Sequence, residues 1–198
     1  MVLSQEEITD LLKINGEIRG AAFQTDAVYI RKTQGPEGLQ KIEESLKDFG
    51  FAVKYDRIRA MEWLPLKARV ACLLTMRNLF NWSDDGFVAM GDAGPKASFI
   101  IRLLTKFLAS PQTVFNSAPK YWVKYYTIGR LESIIMDEEK RIAILHLKDF
   151  QAHPLYCRYL EGFFRRLVQY NFPDAVVSAQ ETACVFRGDQ YHKFKFNW

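Results

Sequence analysis

Four side chains in the last quarter of the chain have the chemistry of metal ligands: Cys157, Glu181, Cys184 and His192. Cys184 and His192 lie symmetrically about Gly188, so a strand, a tight turn and a return strand would place them opposite each other. Directly opposed residues on paired strands have Cβ atoms roughly 4.5–5.5 Å apart, which lets a thiolate and an imidazole share one ion. With Glu181 as an oxygen donor and Cys157 as a fourth ligand, the set is one that tetrahedral zinc accepts.

The spacing of Glu181 and Cys184 sets a condition on this site. Residues three apart in a regular strand point to opposite faces, so both can reach one ion only if the strand is bulged or one of them sits at a bend. The alternative is structural: a buried cysteine, a surface glutamate and a polar histidine at the end of a hairpin. Spacing alone favours that alternative, because cysteine is often simply buried.

The same segment resembles the C-terminal signature of the 4-vinyl-reductase-type small-molecule-binding domain. This family includes the sensory domains of phenol- and xylene-responsive transcriptional activators. Its signature is a cysteine in a helix, then Glu-x-x-Cys, a Gly-Asp turn, and a second hairpin cysteine followed by an aromatic residue. The resemblance is specific over about residues 129–198, whereas over residues 16–128 only the order and length of the elements agree.

The signature maps onto this chain residue by residue. Cys157 matches the helix cysteine, Glu181 and Cys184 match Glu-x-x-Cys, and Gly188-Asp189 matches the turn. His192 stands where the family has its last cysteine, and the aromatic Phe194 follows it. Both residue types ligate zinc, so the resemblance implies a structural zinc site with all four positions filled by protein.

The resemblance also implies a fold and a ligand. The fold is the one shared with the haem nitric-oxide sensors and the Golgi transport-particle subunits. In sensors of the family, an apolar, aromatic-lined cavity between helices and sheet holds a small aromatic or other apolar effector. By their position we predict that Trp122, Tyr126 and His146 contact such a ligand.

The elements that must position these residues begin with helices. Ser4 with the acids after it predicts a first helix, and Gly35-Pro36 starts another that Gly50 ends. Between them, Ala27–Ile30 reads as extended. A long helix follows through residues 70–80. We then expect a break at Asp84-Asp-Gly86, a short helix or turn at 87–90, an apolar helix at 98–109 and a further aromatic helical piece formed by residues 112–115 and 119–126.

The periodicity then changes to that of strands. Residues 130–136 and 141–147 form a predicted hairpin, a helix covers about 153–171, and a last hairpin pairs 175–187 with 191–198. The prediction is therefore an α+β fold: an antiparallel sheet of about four to five strands packed against several helices, in the order helices and then ββαββ.

Composition limits the class of protein. The 198 residues fit one domain, 1–198, with 48% hydrophobic and 25% charged residues. The net charge of +4 is scattered and no nucleic-acid-binding motif is present, so no nucleic-acid partner is predicted. No apolar run spans a bilayer, no signal peptide is evident, and three distant cysteines argue against a disulfide framework. We therefore expect a cytoplasmic protein.

Together these observations predict a sensory module that binds a small molecule, contains structural zinc and is not an enzyme. We expect a homodimer and a separate signalling partner, since the ATPase and DNA-binding domains of the activators are not in this sequence. The alternative is a dimeric adaptor that resembles the transport-particle subunits and binds no ligand. A role in tetrapyrrole metabolism and a redox sensor built on Cys157 and Cys184 also stay open.

Overall fold

A computed structural model describes residues 2–97 and 110–198. Within these residues, six α-helices surround one face of a sheet. The helices are α1 Gln5–Lys13, α2 Ala21–Lys47, α3 Leu66–Phe80, α4 Asp84–Ala97, α5 Pro111–Tyr125 and α6 Pro154–Asn171. The predicted helix at residues 98–109 lies outside the described residues. None of the helices in the described ranges is long and apolar enough to cross a membrane.

The strands form two antiparallel sheets. A two-stranded ribbon pairs β1 Glu17–Arg19 with β2 Trp63–Pro65. The main sheet has the spatial order β3-β4-β6-β5, with strands β3 Arg130–Asp137, β4 Ile142–Lys148, β5 Ser178–Ala183 and β6 His192–Asn197. Because α6 connects β4 to β5, the predicted α+β class and the order of helices followed by ββαββ are confirmed.

The helical half follows local sequence rules at its ends. Ser4 caps α1 in a capping box with Glu7, as its spacing predicts. Gly35 interrupts α2 with φ 71°, so that Pro36 begins a second helical segment, again as predicted. The extended segment predicted at Ala27–Ile30 is wrong. Ala27 and Ile30 are instead buried three residues apart on one face of α2. An apolar run of only four residues is too short for periodicity to tell a helix from a strand.

The break predicted at residues 84–86 is also wrong, since α4 runs unbroken from Asp84 to Ala97, and residues 87–90 take the helical one of their two predicted conformations. Gly91 and Gly94 lie in this helix and face α6. The aromatic helical piece predicted from residues 112–115 and 119–126 is the helix α5, which also includes the residues between them and which Ser110 caps at its start.

The inward face of the main sheet supplies one wall of the core. Alternate residues of β4 and β6 are buried: Ala143, Leu145, Leu147, Phe194 and Phe196. They pair across the strands, Leu145 with Phe194 and Ala143 with Phe196. His192 is the next inward-facing residue, opposite Leu147, so the register carries its imidazole to the end of the sheet beside α6.

Candidate metal centre and apolar cavity

The four predicted metal ligands meet at one buried point. One potential ligand atom from each of Cys157, Glu181, Cys184 and His192 lies within 4.8 Å of the others, and all four residues are buried. Cys157 comes from the first turn of α6, Glu181 from β5, Cys184 from the end of the strand and His192 from the start of β6. Three elements therefore converge on this group, which we call the C-E-C-H cluster.

A bulge and a bend together bring Glu181 and Cys184 to the same side. The pairing of β5 with β6 shifts register between Glu181 and Ala183. Cys184 then follows the strand, at the entry to a short 3-10 turn, Val185–Arg187. The turn ends at Gly188 with φ 91°, a conformation that suits glycine. A bulge or a bend was the condition under which Glu181 and Cys184, three residues apart, could bind the same ion.

The separations within the cluster suit ligands of a single ion. The Cys157 and Cys184 sulfurs are 4.0 Å apart, and the Cys157 sulfur is 3.6 Å from His192 Nδ1. His192 Nδ1 is 2.9 Å from Glu181 Oε1. Ligand atoms held about 2.0–2.3 Å from one tetrahedral ion are separated by comparable distances.

The histidine of the cluster is oriented by the backbone. His192 Nε2 lies 2.8 Å from the carbonyl oxygen of Phe150, which can only accept a hydrogen bond. That partner assigns the proton to Nε2 and turns Nδ1 toward the Cys157 sulfur and the Glu181 carboxylate. A backbone carbonyl that fixes the second ring nitrogen is a recurrent feature of metal-binding histidines.

Electrostatics decide which form of the cysteines the site can hold. Burial raises the pKa of the Cys157 thiol, and the neighbouring Glu181 and Cys184 raise it further. Burial likewise raises the pKa of Cys184. Without a cation at the centre both side chains are therefore neutral thiols, and only a bound ion would make thiolates favourable here. Arg187, with Nη1 3.6 Å from Glu181 Oε2, adds positive charge at the rim.

A second feature is an apolar cavity of about 190 Å³ between α2, α5, α6 and the sheet. Its wall is almost wholly hydrocarbon and aromatic, and includes Phe115, Leu145, Leu160 and Phe164. Of the three residues predicted to contact a ligand, Trp122 and Tyr126 lie in this wall.

His146 is not among the described residues of the cavity wall. His146 lies on β4, where it pairs with Glu132 of β3 and Lys193 of β6. Its neighbours Leu145 and Leu147 face inward, so the side chain of His146 points to the other face of the sheet. There its ring stacks on Tyr191 at 4.3 Å. The alternation of residues 142–147 does not determine which face of the strand is turned inward, and the structure places His146 on the face away from the cavity.

A buried polar network at one end of the cavity was not foreseen from the sequence. Arg69 and Asp26 form a fully buried ion pair, and Arg69 also donates to the hydroxyl of Tyr156. The Tyr156 hydroxyl in turn lies 2.9 Å from that of Tyr126. The spacing of Asp26 could have predicted this network. Asp26 lies at helical spacing between Phe23 and Ile30, and a lone charged residue on an apolar helix face implies a buried partner.

Comparison with known proteins identifies the fold. No protein-family model and no curated protein matches the chain. An H-NOX protein from S. oneidensis in the Fe(II)NO ligation state superposes with a TM-score of 0.68 at 10% identity, covering 91% of this chain and 98% of that one. An oxygen-binding H-NOX domain related to soluble guanylate cyclases superposes with a TM-score of 0.64 at 13% identity, covering 91% of this chain and 94% of that one. For an unliganded Fe(II) H-NOX protein from K. algicida the TM-score is 0.60 at 13% identity, covering 91% of this chain and 96% of that one.

The chain therefore has the fold of H-NOX domains, as the resemblance to the nitric-oxide-sensor fold implied. The comparison contradicts the prediction of zinc as the cofactor. Several of the solved structures with this fold are described in Fe(II) states, and another concerns the redox potential of haem under porphyrin distortion. The prediction relied on ligand types that a local hairpin brings together, and those types do not specify which metal a fold has been built around.

Proposed function

We propose that this protein is a non-catalytic sensory domain that captures a small apolar or aromatic molecule in the cavity between α2, α5, α6 and the sheet. The observation that carries the proposal is the cavity itself, which aromatic and aliphatic side chains line in a fold shared with an oxygen-binding H-NOX domain. Ligand sites are characteristically concave and apolar with few polar groups. Protein interiors are close-packed, so an apolar concavity of this size between helices and sheet suits a bound molecule.

The size of the cavity limits the ligand. An apolar cavity of roughly 150 Å³ in another protein holds benzene or xenon. The 190 Å³ found here therefore suits a single aromatic ring with one or two substituents. Trp122 and Tyr126, stacked with ring centres 4.0 Å apart, offer a flat wall to such a ring.

Haem, which the neighbours' descriptions name, does not fit this cavity. Haem iron is held in proteins by histidine, cysteine, tyrosine, or methionine with histidine. All three histidines and all three cysteines of the chain are described, and none of them lines the wall. Burial raises the pKa of three of the four tyrosines in the described wall, Tyr125, Tyr126 and Tyr159, which disfavours the phenolate that would bind iron. Arg69, the cation of the described wall, is already paired with Asp26.

For the C-E-C-H cluster we propose a bound transition-metal ion whose identity is to be measured. Two thiolates and a neutral imidazole suit a borderline-soft divalent ion. All four ligand positions would come from the protein, so the ion would act structurally, holding the β5–β6 hairpin against the start of α6. Arg187 would balance part of the negative charge of two thiolates and one carboxylate.

Membership of the 4-vinyl-reductase-type family belongs to the same proposal. It is supported by the matched residues of its signature, which lie together in space although they are up to 35 positions apart in sequence. A single domain, a homodimer, a cytoplasmic location and a separate signalling partner complete the proposal. The adaptor alternative is less well supported, because a scaffold needs no apolar cavity.

The cavity is tested by ligand-induced stabilisation. Toluene, added to the folded protein, should raise the midpoint of thermal unfolding in proportion to ln(1 + [L]/Kd). Ala118→Phe, which fills the wall from α5, should abolish the shift. Val123→Phe is the matched control, because Val123 lies on the same helix but is 64% exposed and outside the wall. No shift in the wild-type protein with any single-ring apolar compound would overturn the ligand function.

The metal is tested by elemental mass spectrometry across the first-row transition metals. We expect about one ion per chain in the wild-type protein and in Cys72→Ala, whose cysteine lies in α3 outside the cluster. Cys184→Ala should lose the ion and unfold at a lower temperature. Absence of any metal from freshly reduced wild-type protein would return the cluster to a purely structural role.

A further inference from the structure

We propose that the hydroxyl of Tyr126 is the polar anchor of the cavity, and that its ligand is a small apolar molecule with one hydrogen-bond acceptor, such as a carbonyl or ether oxygen. The proposal rests on the cavity being a ligand site. It deepens that function by assigning the chemical class of the ligand. It follows from the direction of the hydrogen bonds between Asp26 and Tyr126.

The network begins at a fixed charge pair. Arg69 Nε donates to Asp26 Oδ2 at 2.8 Å and Arg69 Nη2 donates to Oδ1 at 2.9 Å, a bidentate arrangement. Both side chains are at most 1% exposed. The guanidinium plane is also held over the ring of Tyr159, 4.3 Å from its centre. Arg69 Nη1 is thereby aimed at the Tyr156 hydroxyl, to which it donates.

Counting donors and acceptors sets the direction of the hydrogen bond between the Tyr156 and Tyr126 hydroxyls. A guanidinium has no acceptor, so the Tyr156 oxygen must accept from Arg69. If Tyr126 also donated to Tyr156, the proton of the fully buried Tyr156 hydroxyl would have no partner among the described residues. The arrangement without a buried unpaired donor has Tyr156 donating to Tyr126 across 2.9 Å. The O–H of Tyr126 is then free to donate to something else.

Tyr126 is the member of the network that both ends it and reaches the cavity. It lines the wall, as does Arg69, whereas Tyr156 does not. Its ring is clamped between a stack on Trp122 at 4.0 Å and an edge contact with Phe150 at 5.8 Å. Burial raises the pKa of Tyr126 and of Tyr156, so both remain neutral phenols that can donate.

The chemistry of this donor selects its partner. The network carries the field of the Arg69 cation toward the cavity, so successive hydrogen bonds polarise the final O–H outward. An acceptor oxygen on the ligand completes the chain, whereas a hydrocarbon of the same shape leaves the donor unpaired. Sites that present a buried hydrogen-bonding group reject analogues lacking its partner.

Acetophenone and its hydrocarbon isostere α-methylstyrene provide a matched pair of probes, because they differ by C=O against C=CH₂. Their dissociation constants would be measured by calorimetry on the full chain. We expect the wild-type protein to bind acetophenone about tenfold more tightly. Tyr126→Phe should bring the ratio close to one without weakening α-methylstyrene. Tyr125→Phe, in the same wall but outside the network, should keep the wild-type ratio.

Three results would overturn the proposal, and they separate its failure from that of the ligand function. A ratio near one in the folded wild-type protein, or a tenfold ratio that survives Tyr126→Phe, would leave the cavity a ligand site but remove the anchor. Failure of the wild-type protein to bind either compound would overturn the ligand function and the anchor together. Tyr156→Phe gives a second check: with its oxygen gone, the preference should fall while binding of the hydrocarbon persists.

Discussion

Gly91 on α4 and Gly162 on α6 are the two points at which these helices meet backbone to backbone. A Cβ on Gly91 would lie 1.9 Å from the carbonyl oxygen of Tyr159, and one on Gly162 would lie 1.9 Å from that of Val88. The obstruction is main chain on both sides, so no side-chain rotation relieves it. The two glycines therefore set the distance between α4 and the helix that contributes to both sites.

Gly91→Ala should destabilise the protein by about 3 kcal/mol, because the helices must move apart to admit the methyl group. Gly86→Ala on the same helix is the control. A Cβ on Gly86 would meet no main chain: its nearest neighbours are Cβ and Cγ of Trp82 at 3.3 and 3.4 Å, a tight contact that a shift of a few tenths of an ångström relieves, and alanine has the higher helix propensity. Urea denaturation would measure both. Equal stability of the two variants would contradict the close-packing role of Gly91.

Asp26→Asn should cost about 3–5 kcal/mol, since it leaves the buried Arg69 cation without its carboxylate. The double variant Asp26→Leu with Arg69→Met should recover much of that loss, because apolar residues of similar size often replace a buried ion pair without penalty. Unfolding in urea would compare the three proteins. Asp56→Asn removes the exposed pair with Arg31 and should cause no measurable change.

The stability contributed by Asp92 should disappear in acid. Burial alone would raise the pKa of Asp92. Hydrogen bonds from Arg166 and Lys96, with the charges of Arg165 and Arg166, outweigh burial and hold the pKa below its ordinary value. A carboxyl with a depressed folded-state pKa stabilises the protein above the unfolded-state value, near 3.8, and this contribution is lost as the pH falls through the folded-state pKa.

Asp92→Asn should therefore be less stable than the wild type at pH 7, with the difference shrinking as the pH falls below about 4. Denaturant titrations of both proteins at a series of pH values would measure the difference. Glu138→Gln, in the β3–β4 turn, is the control and should follow the wild-type curve. A constant difference between pH 7 and pH 3 would show that Asp92 acts through packing and not through charge.

Removing the metal should loosen only the C-terminal hairpin. After treatment with EDTA, amides of β5 and β6 should exchange hydrogen faster, while those of α2 and α3 keep their protection, because the ion would tie the hairpin to α6. Hydrogen-exchange mass spectrometry resolves the two regions. Unchanged protection of residues 178–197 in protein shown to have lost its metal would contradict the structural role of the ion.

The sequence predicted most where its signals are local. The cap at Ser4, the interruption at Gly35 and the two hairpins follow from residue types a few positions apart. The C-E-C-H cluster could be predicted because a hairpin brings together three of its members, and a family resemblance pointed to Cys157.

The failures share a cause, which is that tertiary contacts overrode local preference. Glycine locally favours a turn, but Gly91 lies in a helix because the backbone of α6 packs directly against it. His146 alternates with apolar residues, and only the register of β4 in the sheet determines which face it occupies. The Asp26–Arg69 pair joins residues 43 positions apart, a distance at which no periodicity carries information. The metal is likewise not specified by ligand types alone.

Phe150 contacts a residue of each site. Its carbonyl oxygen fixes His192 in the cluster, and its ring packs edge-on against Tyr126 in the cavity wall. A shift of this one residue on filling of the cavity would change the geometry offered to the ion. Thermodynamic linkage then requires reciprocity: whatever factor the ligand imposes on metal affinity, the metal must impose on ligand affinity. In that case the protein would report two chemically unrelated species through a single equilibrium.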